Sequence, residues 1–178
     1  MKKLLLLLVL SLSAYAIQTG DVPPKVLLKG DNGGKHDGKA WSSEMLVGKV
    51  HTVLYMDPDE REEAMPFLDE LNSQNFDKKS YETIAIVNLG ATWMPNAILE
   101  AMLNKKQKEL NNTEFIFDKT KYLLKKWKLK DDASNVLIFD AKGILLYQKS
   151  GKLSPVEVNK ILKTISTSVD KVEKTKGN

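Results

Sequence analysis

The densest group of potentially reactive side chains in the 178-residue chain is Asp57-Pro58-Asp59-Glu60-Arg61. Its clustered carboxylates offer oxygen ligands of the kind that hold Ca²⁺ or Mg²⁺, or a face for a basic partner. The same residues also fit the start of a helix, where carboxylates meet the positive end of its dipole and Arg61 is the counter-charge. The stretch lacks the spaced ligand series of a calcium-binding loop. His36 and His51 are the only histidines and there is no cysteine, too few nitrogen and sulfur ligands for a zinc or copper centre. No Gly-x-Ser-x-Gly turn marks a serine nucleophile. Thiol–disulfide exchange and thiol peroxidase chemistry both begin at a thiolate, so both are excluded. No catalytic residue, metal or cofactor is assigned. Trp93 and Asn96 fall in a loop ahead of a helix, near strand ends where α/β sheets carry their sites. Trp93 there is either an exposed anchor for a partner or a plug of the core.

The elements that position these side chains are legible from periodicity. Lys25 to Leu28 is a short apolar run before Gly30–Gly34, a cluster of turn formers. Trp41 to Leu46 fits one helical turn capped by Ser42 or Ser43. His51 to Met56 and Thr83 to Asn88 read as strands buried on both faces. Between them, Ala64, Phe67, Leu68 and Leu71 form one helical stripe. Pro66 either kinks that helix or marks its true first turn. A second helix is predicted from Asn96 to Leu110, with Ile98, Met102 and Ala101 facing inward. Glu114 to Phe117 is a strand, after which Asp118 can cap a helix holding Tyr122, Leu123 and Trp127. Val136–Phe139 and Ile144–Tyr147 form a hairpin through Lys142-Gly143. Ser154, Pro155 and Glu157 make a capping box for a last helix with Val158, Ile161, Leu162 and Ile165 inward. The order β-α-β-α-β-α-β-β-α predicts an α/β domain whose central mixed sheet is flanked by helices on both faces. Trp41 and Trp127 are assigned to packing.

Composition sets the outer bounds. The chain is 42% apolar and 28% charged, enough for one hydrophobic core. Residues 1–16 read as a signal peptide: Lys2 and Lys3, the apolar run Leu4–Leu12, and Ala14-Tyr15-Ala16 as the cleavage signal. Cleavage after Ala16 leaves 25 basic against 23 acidic residues, a net charge of +2. The predicted organisation is therefore a leader over 1–16, one domain over 17–170 and a polar, frayed tail over 171–178. Export to the periplasm predicts no nucleic-acid partner. No later stretch approaches the roughly 20 apolar residues of a membrane span, so no stable membrane insertion is expected once the leader is gone. The compartment permits disulfides, yet the fold must hold by packing alone. Lysines 105, 106, 108, 125, 126, 128 and 130 are read as solvated helix faces, or as a contact for anionic lipid.

The element order resembles the thioredoxin fold. Met65-Pro66 and the helix to Leu71 are similar to the helix after the thioredoxin active site. Ser134 to Asp140 is similar to the strand that begins with the cis-proline. A closer resemblance is to the YtfJ family of periplasmic proteins, carried by Gly30–Gly34, Trp41–Ser43, Tyr55–Glu60, Ala91–Asn96, Lys106-Gln107 and Ser134–Val136. Membership implies a thioredoxin-like fold and a periplasmic address, and no established activity. The resemblance places the two-cysteine turn on Pro58–Arg61 and the cis-proline on Ser134, where a trans peptide is expected because a non-proline cis bond costs about 2.5–4 kcal/mol.

The expected function is a non-catalytic module that binds a periplasmic protein or peptide. Its groove corresponds to the thioredoxin active site and comprises Asp57, Pro58, Asp59, Glu60, Arg61, Trp93, Asn96, Ser134 and Asn135. The alternative is a cation-dependent enzyme, or a cation-binding protein, that uses the Asp57–Glu60 turn.

Overall fold

A computed structural model describes residues 16–107 and 113–176. Residues 1–15 of the expected leader, Lys108, the expected helix end at Leu110 and the last two residues lie outside the described residues. Three short strands come first: β1 (Leu27–Leu28), β2 (Gly33–Lys35) and β3 (Trp41–Ser42), with β1 and β3 paired apart from the main sheet. Then follow β4 (Val50–Met56), α1 (Met65–Ser73), β5 (Tyr81–Asn88), α2 (Asn96–Gln107), β6 (Thr113–Asp118), α3 (Tyr122–Trp127), β7 (Asn135–Phe139), β8 (Leu145–Ser150) and α4 (Pro155–Lys176).

The main sheet has the order β2-β6-β5-β4-β7-β8. Strands β4, β5 and β6 are parallel, and the other pairings are antiparallel. β4 and β5 lie in the interior with both faces covered, so their sequences stay apolar instead of alternating. Val53, Tyr55, Ile84, Ile86, Leu137 and Phe139 pack against Trp41 and the α3 residues Leu123 and Trp127. On the other face Leu54, Val136 and Ile138 meet Phe67 and Leu71 of α1 and Ile161, Ile165 and Val169 of α4. Beside them Ala85, Val87, Phe115 and Phe117 meet Leu99 of α2. No helix among the described residues is long and apolar enough to cross a membrane.

Four local expectations change. In α2 it is Leu99 that is buried, while Ala101, Ile98 and Met102 are exposed. That helix carries apolar residues around most of its circumference, so the sequence offers two stripes; the position of Phe115 and Phe117 selects the one holding Leu99 and Leu103. The glycine cluster is a turn only over Gly30–Asn32, because Gly33 and Gly34 belong to β2. Gly33 lies so close to β6 that a Cβ there would overlap the Phe117 carbonyl. Asp59 and Glu60 do not reach the first turn of α1: a 3-10 turn over Arg61–Glu63 intervenes, and Pro66 lies in the first turn of α1. The frayed tail is helical instead, since α4 continues to Lys176. Val172 there packs on the core, and Lys176 Nζ donates to the Lys79 carbonyl at 2.6 Å.

Two polar devices fix the ends of elements. The fully buried Asp118 carboxylate accepts the Tyr122 and Leu123 amides at 2.7 and 2.8 Å and the Tyr55 hydroxyl at 3.1 Å. At α4, Ser154 N donates to Glu157 Oε2 at 2.8 Å and Glu157 N to Ser154 Oγ at 3.3 Å, a closed capping box. Lys149 adds an ion pair to Glu157 at 2.9 Å. The bond from Lys149 and those from Ser154 pull the Glu157 carboxyl down from 4.5 to about 2.

Asp118→Asn keeps the volume and leaves one acceptor oxygen for four donors, the Thr120 amide at 3.3 Å being the fourth. Urea unfolding should report a loss of about 2–3 kcal/mol. Because the folded-state value of Glu157 is depressed, its contribution is complete above the unfolded value of 4.5 and disappears as pH falls toward 2. Thermal melts should therefore place Glu157→Gln below the parent at pH 6 and converge with it near pH 2.

Candidate functional site

The parallel strands β4, β5 and β6 end side by side, so the loops that follow them leave from one edge of the sheet. Asp57, Asn88 and Asp118 stand at these three ends, and all are buried. Asn88 Oδ1 has no hydrogen-bond partner among the described residues. Burial, joined by the nearby charges of Asp59 and Asp132, holds the Asp57 carboxyl above its ordinary range, while the Asp59 amide and Lys121 oppose the shift. Lys121 pairs with Asp131 at 2.7 Å, and that contact raises its own value.

The turn after β4 is bonded to itself and to both neighbours. Asp57 Oδ1 accepts the Asp59 amide at 2.9 Å. On one side Ser134 Oγ donates to the Glu60 carbonyl at 3.1 Å, and the Ser134 amide donates to Glu63 Oε2 at 3.0 Å. The Ser134 carbonyl accepts the Gly151 amide at 2.8 Å. On the other side Thr92 Oγ1 donates to Asp59 Oδ1 at 3.0 Å and accepts the Met94 amide at 3.3 Å. This clamp holds the loop that presents Trp93.

A pocket of about 330 Å³ lies where the two loops meet. Pro58, Asp59, Arg61 and Trp93 line it, as do Thr92, Met94, Leu99 and Met102. Trp93 is 88% exposed, whereas Trp41 and Trp127 are fully buried. The open alternative for Trp93 thus resolves toward the surface, and the packing assignment of the other two tryptophans holds.

The remaining candidates play different parts. Asp57 is under the turn, with one oxygen already used by the Asp59 amide. Glu60 is exposed, and its backbone carbonyl anchors Ser134. Ser134 and Asn135 are buried and do not line the Trp93 pocket. Asn135 takes the Lys130 amide and the Ser150 hydroxyl on Oδ1, and donates to the carbonyls of Lys130 and Ala133. It braces the chain before β7. Asn96 is exposed at the first residue of α2, outside the pocket lining. The chain has no cis peptide among its described residues, in accord with the trans bond expected at Ser134.

Sequence reasoning missed Thr92, Glu63 and Leu99. Thr92 precedes Met94 by two residues, the spacing of a hydroxyl-to-amide turn. The Glu63 contact joins positions 71 residues apart and has no local signal. No group of three or more histidine, aspartate or glutamate residues converges to hold a metal ion among the described residues. One oxygen each of Asp57 and Asp59 already accepts a protein hydrogen. What the arrangement offers is a braced, cysteine-free turn beside an exposed indole.

Comparison with known proteins agrees with this architecture. The profile of a family described as "Bacterial protein of unknown function (YtfJ_HI0045)" matches residues 26–168. The chain is 27% identical over 169 residues to the uncharacterized protein YtfJ of Escherichia coli K12, covering 88% of this chain and 90% of that one. Among solved structures, it is similar to the exposed lipoprotein thioredoxin Etrx1 of Streptococcus pneumoniae TIGR4, with TM-score 0.55, 18% identity and coverage of 79% and 99% of the two chains. It is also similar to a putative thiol:disulfide interchange protein DsbE of Chlorobium tepidum, with TM-score 0.61, 16% identity and coverage of 86% and 99%. The shared element order and mixed sheet make this a thioredoxin-like fold, and the chain belongs to the YtfJ family.

Proposed function

We propose that this chain is an exported, non-catalytic module that binds a protein or peptide through the surface around Trp93. The observation that carries the reading is the 88% exposure of Trp93, on a loop clamped by Thr92 and Asp59. An indole held open to water has a large apolar area to bury, and such residues dominate binding energy at interfaces. Met102 lines the same pocket and is 51% exposed, which extends the apolar area. Asp59, Arg61 and Glu62 edge it with charge, giving an apolar centre with a polar rim. The Ser134 amide and carbonyl, both bonded within the chain, supply the wall behind the turn.

Export after Ala16 fits the way the domain begins. Ile17 is buried in the core, its amide donates to the Trp127 carbonyl at 3.4 Å, and its carbonyl accepts Gln148 Nε2 at 2.8 Å. A chain cut after Ala16 would keep all of these contacts. The address we propose is the periplasm.

Trp93→Ala should weaken capture of partners from a periplasmic extract by roughly tenfold or more, the scale of an interface hot spot. Its melting temperature should stay at the parental value, because exposed substitutions change stability by about 0.5 kcal/mol or less. Parental capture by this variant and by a charge reversal at Glu60 would defeat the binding reading. Mass spectrometry of the protein from cells should find Ile17 as the first residue; retention of residues 1–16 would defeat the export reading.

A further inference from the structure

We infer that a second binding site lies along α4, a basic groove that takes an acidic, extended polypeptide segment. Two adjoining hollows of about 430 and 410 Å³ run between α4 and the β7–β8 hairpin, sharing Leu146, Ser168 and Lys171. Lys142, Lys160, Lys163, Lys171 and Lys176 line them. None of these five makes an ion pair among the described residues. The lone carboxylate in the lining, Asp140, turns Oδ1 to the amides of Lys142 and Ile144 at 2.8 and 2.9 Å. It therefore serves the hairpin turn.

The shape of the groove favours an extended chain. Lys160 and Lys176 lie 16 residues apart on one helix, or roughly 24 Å at about 1.5 Å per residue. An extended segment of about seven residues has the same length. The positive charges are strung along this distance and do not converge on one point, which suits several carboxylates better than a single phosphate. The hydroxyls of Thr164, Ser168 and Thr175 donate to the carbonyls four residues earlier, at 2.9, 2.8 and 2.8 Å. Lys176 Nζ already donates to the Lys79 carbonyl and Lys160 Nζ lies 5.6 Å from the centre of the Tyr147 ring, so Lys142, Lys163 and Lys171 are left as the principal recognition elements. Leu146 and Val172, on the floor, are half-buried. A flat bilayer would meet the lysines without reaching that floor, whereas the side chains of a bound strand can.

The test is fluorescence anisotropy with a fluorescein-labelled octaglutamate peptide and the mature chain. Binding should weaken as salt rises. Lys163→Glu with Lys171→Glu should weaken it about tenfold or more, by placing like charges against the ligand. Lys29→Glu with Lys126→Glu makes the same change in net charge at exposed positions elsewhere and should leave affinity within about twofold, as should Trp93→Ala. Equal losses in the two double variants would reduce the effect to net charge and overturn the site. So would the absence of peptide binding, or co-sedimentation with phosphatidylglycerol vesicles without peptide binding.

Discussion

A buried carboxylate is tolerable only when donors replace the water it has lost, and Asp118 meets that condition with four. Two are the first amides of α3, one is the Thr120 amide just before it, and the fourth is the Tyr55 hydroxyl of β4. Burial and the adjacent Asp118 charge push the Tyr55 hydroxyl upward, so it stays protonated and donates. One side chain thus ties the end of β6 to a helix on one face and, beneath β5, to a strand two places away in the sheet. The Asp118 carbonyl also accepts the Leu89 amide at 2.9 Å. With the ends of β4, β5 and β6 held together, the loops after them have to emerge along one edge. The position of the Trp93 loop beside the Asp57–Arg61 turn follows from that constraint.

The turn shows what a thioredoxin-like scaffold keeps when sulfur is gone. A redox turn has to leave an attacking atom free. Here the corresponding residues spend their hydrogen bonds on one another and on the flanking loops, through Asp57, Asp59, Glu60 and Glu63. Such a turn is rigid and offers no nucleophile. The amide that follows the turn in space, at Ser134, is satisfied by the chain's own Glu63 carboxylate. Free surface remains on the Trp93 side, where an indole and a thioether are left without cover. With no cysteine in the chain, this surface is apolar area edged by charge and holds no thiolate.

Long periodic elements were legible in the sequence because local signals and tertiary packing agree there. The stripe Phe67, Leu68 and Leu71, the Ser154–Glu157 box and the Asp118 cap each depend on spacing of five residues or fewer. α2 was misread because its sequence is apolar on two sides, and only the place of β6 decides which side is buried. The end of α4 was misread because Lys171 to Lys176 is polar by composition, while the helix is supported there by Val172 and by one lysine reaching the Lys79 carbonyl. The acidic turn was found, yet its role as a capping device was not borne out, since a 3-10 turn separates it from α1. Trp93 could be placed in a loop from sequence; its exposure could not, because a tryptophan suits a core and an interface equally well.

A net charge of +2 for residues 17–178 hides a strong internal asymmetry. The acidic turn follows the carboxyl end of β4, and the lysine-lined groove reaches Gly48, just ahead of its amino end. A strand of seven residues separates them, or roughly 23 Å at about 3.3 Å per residue. That exceeds the screening length of about 8 Å at physiological salt, so the two charged surfaces scarcely feel each other. Between them lies an interior sheet strand packed on both faces. Occupation of one surface should therefore leave the affinity of the other unchanged, as expected for distant sites without shared contacts. The interior strand then keeps the two surfaces at opposite ends of the sheet.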